Sequence, residues 1–228
     1  MTDAAAPQDR PIAVQIGFNK CATLSLTRLF NRSGVNALHC NWSKGKGRKE
    51  KPPYQARIHR NLKAGRPAFT GLDRFSGFFD LELIRAKRHY ENFKQFQAIA
   101  EAYPKAKFIL NTRGKAKWLR SRARHTNGLY LSKHMALHNE SEEQVFARWA
   151  RDFDTHHANV RAYFADKPGR LLEFDITADP IAKLTGFFAP DFTLDPAHWG
   201  HAHKTSDKSW AQQDEDRWSS FDFARFGS

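Results

Sequence analysis

Short apolar runs that alternate with helical segments limit the folds open to this chain more than any other feature of the sequence. The runs "IAVQIGF", residues 12–18, and "KFILNTR", residues 107–113, have the length and apolar content of buried parallel strands. Further candidates are "VNALHC" at 35–40, "PAFTGLD" at 67–73 and "RLLEFDI" at 170–176. Such an alternation predicts a three-layer α/β domain with a mainly parallel central sheet.

The segments between these runs have helical spacing of their apolar residues. Helices are predicted over 22–33, 54–65, most of 78–103, 115–125, 141–166 and 179–190. The longest of them, 141–166, places Val145, Trp149, Phe153, Val160 and Phe164 on one side.

The 228 residues suit one domain, predicted over 12–228, after a disordered leader at 1–11 and with an irregular region at 191–228. No secretory signal and no membrane span are recognisable, and the chain has only two cysteines, Cys21 and Cys40. These features favour a reducing compartment, with the bacterial cytoplasm as the simplest home. The sequence leaves the oligomeric state open.

The charge is strongly basic, with 37 Lys and Arg against 24 Asp and Glu and a formal net charge of +13. A positive field of this size favours anionic partners, which include nucleic acids, membrane surfaces and nucleotides. A basic run, "SKGKGRKEK" at 43–51, is a candidate nucleic-acid contact, although such runs are more often solvated loops.

The turn "GFNKCATLS" lies between the first predicted strand and the first predicted helix. A helix N-terminus attracts anions, and Lys20, Thr23 and Ser25 add a charge and hydroxyl donors there. The turn departs from the ATPase pattern G-x-x-x-x-G-K-[ST], because no glycine precedes Lys20 and Cys21 follows it. It therefore predicts a phosphate or sulfate site without magnesium-dependent nucleotide hydrolysis.

A second segment, "AKFILNTRGKAKWLRSR" at 106–122, carries Arg113 after a strand and Ser121 eight residues later. It resembles the 3′-phosphate-binding segment of sulfotransferases. The Lys20 turn resembles the 5′-phosphosulfate loop of the same family, commonly K-[TSC]-G-T-[TS]-[SWA]-L. The resemblance covers roughly residues 12–190, with 41–100 only loosely matched.

The resemblance implies a P-loop-like α/β fold and a sulfuryl transfer from 3′-phosphoadenosine-5′-phosphosulfate (PAPS) to an alcohol or amine of a small molecule or glycan. Arg113 and Ser121 would bind the 3′-phosphate, and Lys204 belongs to a late loop that would close over it. Lys20 would neutralise charge on the leaving phosphate, without a metal. The 5′ end would be bound by Asn19, Lys20, Cys21, Ala22, Thr23, Leu24 and Ser25.

Three positions depart from the family pattern. Ala22 replaces the usual glycine, Leu24 replaces a hydroxyl residue, and Gly114 stands in "TRGKAKW" where "RDP" is common. Ser25 is expected to supply the missing hydroxyl. A relative that binds nucleotide without chemistry, a kinase-like transferase and a nucleic-acid-binding protein remain alternatives.

A general base is expected near the acceptor. Asp73, at the end of the predicted strand 67–73, is the first candidate, His39 the second and Glu82 a more remote one. His134 and His138 are four residues apart on a possible helix, but the sequence shows no third ligand, so no metal site is predicted. The adjacent His156 and His157 make a poor metal pair.

Overall fold

A five-stranded parallel sheet forms the centre of the protein in the computed structural model, which describes residues 9–39, 53–85, 87–200 and 221–226. Its strand order is β2-β3-β1-β6-β7, and every neighbouring pair is parallel. Two further strands, β4 and β5, form an antiparallel hairpin. The strands are β1 Ile12–Gln15, β2 Ala37–Leu38, β3 Gly77–Phe78, β4 Glu82–Arg85, β5 Arg88–Glu91, β6 Ala106–Thr112 and β7 Leu171–Asp175.

The α-helices of the described residues are α1 Thr23–Arg32, α2 Tyr54–Lys63, α3 Phe96–Ala102, α4 Lys115–Ala123, α5 Leu129–His138, α6 Glu142–Phe164 and α7 Ile181–Phe188. Short 3-10 turns lie at Asn92–Gln95, Pro196–His198 and Phe223–Phe226. Helix α6 begins with a capping box, in which Ser141 and Gln144 satisfy each other's backbone N–H groups. Its predicted apolar side, including Val145 and Trp149, is buried.

The sheet has an apolar core on each face, because successive strand residues point to opposite sides. Ile12 and Val14 pack into the larger core with residues of α2 to α6, whereas Ala13 packs into the smaller core with α1 and α7. Helices therefore cover both faces, which confirms the predicted α/β class with a parallel sheet.

The predicted strand at 67–73 is wrong. Local hydrogen bonds from Thr70 N to Pro67 O and from Leu72 N to Phe69 O make this segment a turn that buries Phe69 and Leu72. The third strand of the sheet is Gly77–Phe78, which pairs with β1 and β2.

The prediction of helix over most of 78–103 is also wrong for its first half. Residues 82–85 and 88–91 form the two strands of the β4–β5 hairpin, and only Phe96–Ala102 is α-helical. The hairpin is held by partners distant in sequence: Glu82 on β4 accepts hydrogen bonds from Arg122 on α4 and Tyr130 on α5.

No helix within the described ranges is long and apolar enough to cross a membrane. Most of the predicted leader, the basic loop at 43–51, Cys40 and Lys204 lie outside the described residues.

Candidate active site

The loop 16–22 leaves the carboxyl end of β1 and leads into α1. Strand β1 has β3 as its neighbour on one side and β6 on the other. The chain first adds β2 and β3 on one side of β1 and later adds β6 and β7 on the other, so the strand order reverses at β1. Ligands of open α/β sheets bind in the crevice at such a switch point. The loop that carries Lys20 therefore lies where the fold favours a ligand.

The backbone of this loop is tightly constrained. A side chain at Gly17 would place its Cβ 2.2 Å from the carbonyl oxygen of Asn111 on β6. Lys20 and Ala22 have left-handed backbone conformations, with φ of 64° and 61°. Glycine adopts this conformation without strain, so the alanine at position 22 carries a conformational cost.

Two buried amides support the loop from below. Gln15 Nε2 donates to Asn111 Oδ1 at 2.8 Å, and Asn111 Nδ2 donates to the carbonyl of Cys21 at 2.5 Å. Gln15 Oε1 also accepts from the backbone N–H of Asp80 at 2.7 Å, which ties β3 to the same network. Trp118 Nε1 on α4 donates to Asn19 O at 3.0 Å. Sequence patterns did not reveal these supports, since each joins distant segments.

Lys20 lies beside His125, with its Nζ 3.4 Å from His125 Nδ1. Burial and then Lys20 lower the pKa of His125 to about 4, so the neutral imidazole can accept this hydrogen bond. Burial and then Arg113 lower the pKa of Lys20, whereas Asp80 acts in the opposite direction. An anion bound at this lysine would favour its charged form.

The N-terminus of α1 also attracts anions. No described side chain caps it, and its first turn holds no acidic residue. Thr23 Oγ1 lies 3.2 Å from His39 Nε2. The hydroxyl of Ser25, which was expected to replace the one missing at Leu24, donates instead to Gly200 O at 2.7 Å.

His39 follows β2 directly, as predicted, and faces this site. Its Nε2 lies 3.7 Å from Oδ2 of Asp80, the second residue after β3. Asp80 escaped sequence analysis because the third strand was placed at 67–73. The apolar "GFF" that precedes it was the available signal.

The structure does not place Asp73 in this site. Asp73 is exposed in the turn before β3 and interacts electrostatically with Arg10, which precedes β1. It thus lies toward the amino ends of the strands, whereas Lys20 lies at their carboxyl ends.

Glu82 is likewise unsuited to act as a base, because it is 5% exposed and paired with Arg122. Burial alone would raise its pKa, but Arg122, His89 and Tyr130 together hold it well below the usual range. Glu82 therefore remains ionised as part of a buried ion pair.

Arg113 follows β6 and connects the two predicted anion-binding segments. Its Nη1 donates to Lys20 O at 3.4 Å, and its buried Nε has no hydrogen-bond partner among the described residues. Ser121 lies half-buried on α4, the helix that follows Arg113. Arg113 thus has donor capacity left for a ligand.

The other sequence candidates near the loop have structural roles. His156 Nε2 donates to Ile16 O at 2.6 Å, and His157 Nε2 lies 3.1 Å from Thr112 Oγ1. Burial raises the pKa of the Cys21 thiol to about 12, so this thiol remains neutral.

A family model described as a sulfotransferase domain matches residues 14–151, more than half of the chain. No curated protein matches the chain. The matched range contains the Lys20 loop, His39, Asp80 and the Arg113–Ser121 segment, so the family match and the site geometry fall on the same residues. The chain belongs to the sulfotransferase domain family.

Proposed function

We propose that this sulfotransferase uses PAPS as donor and a hydroxyl group of a small molecule or glycan as acceptor. The family supports sulfuryl transfer in general. The observation that carries the choice of donor is the contact of Arg113 with the backbone of Lys20, at 3.4 Å. A donor with a 3′-phosphate and a 5′-phosphosulfate needs two neighbouring anion sites of this kind.

The residues present fit such a donor. The 5′ end would lie on the loop Asn19–Ser25, where the charge of Lys20 coincides with an α1 N-terminus that no described side chain caps. The 3′-phosphate would be bound by Arg113 and Ser121. The planar guanidinium of Arg113 suits phosphate oxygens, and its Nε has no partner among the described residues. Lys204 is retained as a further candidate for this phosphate.

PAPS supplies an activated sulfuryl group that leaves from a phosphate oxygen. In the proposed mechanism Lys20 stabilises negative charge at the 5′ site, where a desolvated cation acts strongly. His39 accepts the proton of the acceptor hydroxyl at Nδ1, while its Nε2–H donates to Thr23 Oγ1, 3.2 Å away, which holds the ring in place. Asp80 Oδ2, 3.7 Å from Nε2, stabilises the imidazolium that forms.

The first test is calorimetric titration of the protein with 3′-phosphoadenosine-5′-phosphate, the desulfated donor, beside ATP and 5′-AMP. We expect micromolar binding of the bisphosphate and much weaker binding of the other nucleotides. Arg113→Ala should abolish the preference. Lys117→Ala removes one charge from an exposed position of the adjoining helix α4 and should leave binding unchanged.

Each alternative function has its own outcome in this experiment. Equal affinity for the bisphosphate and 5′-AMP would contradict a 3′-phosphate site. A preference for ATP would favour a kinase-like transferase. Binding of the bisphosphate without sulfuryl transfer to any acceptor would indicate a non-catalytic relative. Nucleic-acid binding that falls steeply with salt, with no response to the bisphosphate, would favour a nucleic-acid-binding protein.

A further inference from the structure

Three histidines meet where α5 packs against the β4–β5 hairpin. His134 and His138 lie one turn apart on α5, and His89 on β5 faces both. One nitrogen from each ring lies within 4.8 Å of the others. The ring centroids are 4.8 Å apart for His89 and His134, 5.9 Å for His134 and His138, and 6.3 Å for His89 and His138. The tertiary structure thus supplies the third imidazole that the sequence did not show.

A buried nitrogen without a partner among the described residues belongs to this cluster. His134 is 0% exposed, and its Nε2 has no hydrogen-bond partner among the described residues. Its Nδ1 is 3.5 Å from Arg148 Nη2, a long contact. Buried polar atoms in native proteins are almost always satisfied, so an unpaired imidazole nitrogen beside two other imidazoles requires an explanation.

His89 is oriented as metal-bound histidines usually are. Its Nε2 donates to Oε1 of Glu82 at 2.9 Å, and the buried Arg122 fixes Glu82 in turn. A carboxylate that accepts one N–H of an imidazole leaves the other nitrogen with its lone pair free for a metal. That nitrogen, Nδ1, lies 3.8 Å from Oε2 of Glu91, the nearest carboxylate on its other side.

We propose that His89, His134 and His138 form a binding site for a divalent transition metal ion of the Zn²⁺ class, with Glu91 or water as a further ligand. Imidazole is a preferred ligand of Zn²⁺, Cu²⁺ and Ni²⁺, whereas Mg²⁺ and Ca²⁺ prefer sites rich in oxygen. Zinc–nitrogen bonds are about 2.0–2.1 Å long, so modest rotations of the rings close the cluster around an ion. His138 is exposed, which gives the ion a path from solvent.

Metal binding would fix the tautomer of His134. Coordination through Nε2 of His134 requires its proton on Nδ1, so the contact with Arg148 would be lost. Arg148 would retain its three hydrogen bonds to Glu140.

Such an ion would connect α5 to the β4–β5 hairpin, two elements that otherwise meet through the Glu82, Arg122 and Tyr130 network. The proposal does not depend on sulfuryl transfer. It is tested by binding alone.

The experiment uses the full chain, treated with a chelator that is then removed. It is titrated with ZnCl₂ by calorimetry and with CoCl₂ by absorption spectroscopy, with MgCl₂ as the comparison ion. We expect one saturable zinc site, a cobalt spectrum of nitrogen-ligated Co²⁺, a rise in Tm with zinc and no response to magnesium.

The deciding variants are His138→Ala, at an exposed position, and His89→Gln. Each should weaken zinc binding at least about tenfold. The control is the triple variant His198→Ala/His201→Ala/His203→Ala, which removes the other histidine-rich sequence of the chain and should bind zinc as the parent does. Unfolding midpoints without metal verify that each variant is folded. Absence of saturable zinc binding, unchanged affinity in His138→Ala, or loss of binding in the control variant would overturn the proposal.

Discussion

The buried ion pair between Glu82 and Arg122 makes the sharpest prediction about stability. The two residues are 5% and 1% exposed, and Arg122 Nη2 lies 2.5 Å from Glu82 Oε1. Tyr130 donates to the same oxygen and His89 approaches it at 2.9 Å. Removing one partner would leave an uncompensated charge inside the protein. We therefore expect Arg122→Met to lower the free energy of unfolding by about 3–5 kcal/mol.

A double-mutant cycle in urea measures whether this cost belongs to the pair. Glu82→Gln removes the carboxylate charge with little change of shape, and the double variant Glu82→Gln/Arg122→Met buries no unpaired charge. The double variant should be more stable than the sum of the single effects predicts, by about 2–3 kcal/mol. All measurements use protein treated with a chelator, because His89 adjoins the pair.

Arg161→Ala is the matched control, because it breaks an ion pair with Glu173 whose side chains are 55% and 37% exposed. It should cost less than about 1 kcal/mol. A similar small cost for Arg122→Met, or additivity in the cycle within about 0.5 kcal/mol, would refute the reasoning.

Other predictions concern the loop, the pH dependence and the base. Ala22→Gly should raise the free energy of unfolding by about 0.5–1 kcal/mol, because it relieves a φ of 61°; a lower urea midpoint would contradict this. His125 and His156 have pKa values lowered by burial from 6.5 to about 4. As the pH falls, the unfolded chain therefore takes up these protons before the folded protein does. Each histidine should lower the free energy of unfolding by about 2 kcal/mol between pH 7 and pH 5, and urea unfolding at both pH values measures this change. In a sulfuryl-transfer assay with any identified acceptor, Asp80→Asn should lower kcat at least about tenfold and Asp73→Asn should leave it unchanged. Equal effects of the two substitutions would contradict the proposed role of Asp80 in stabilising the His39 imidazolium.

The elements that the sequence predicted well are those whose signal is local. The strand β6 was predicted within a residue of its start and end because it is a buried apolar run bounded by charged and turn residues. The helix α6 was predicted because five large apolar side chains repeat at helical spacing, and the structure adds the capping box at Ser141. The conformation of each segment depends mainly on its own residues.

The failures occur where distant partners decide the conformation. The strand β3 has only two residues, Gly77 and Phe78, and exists because β1 and β2 pair with it. The apolar turn at 67–73 resembled a strand more closely. Because the third strand was predicted at 67–73, Asp73 at its end became the candidate base. The end of the strand in the structure leads instead to Asp80.

The sequence by itself determined the α/β class, and it identified the two segments around Lys20 and Arg113 that the family match contains. Their patterns are local, and parallel strands bring their carboxyl ends to one edge of the sheet. Only the tertiary structure decided that His39 meets Asp80 and that His89 joins His134 and His138. These pairings cross long stretches of chain and depend on strand register and helix packing, which the buried long-range contacts of the whole domain select.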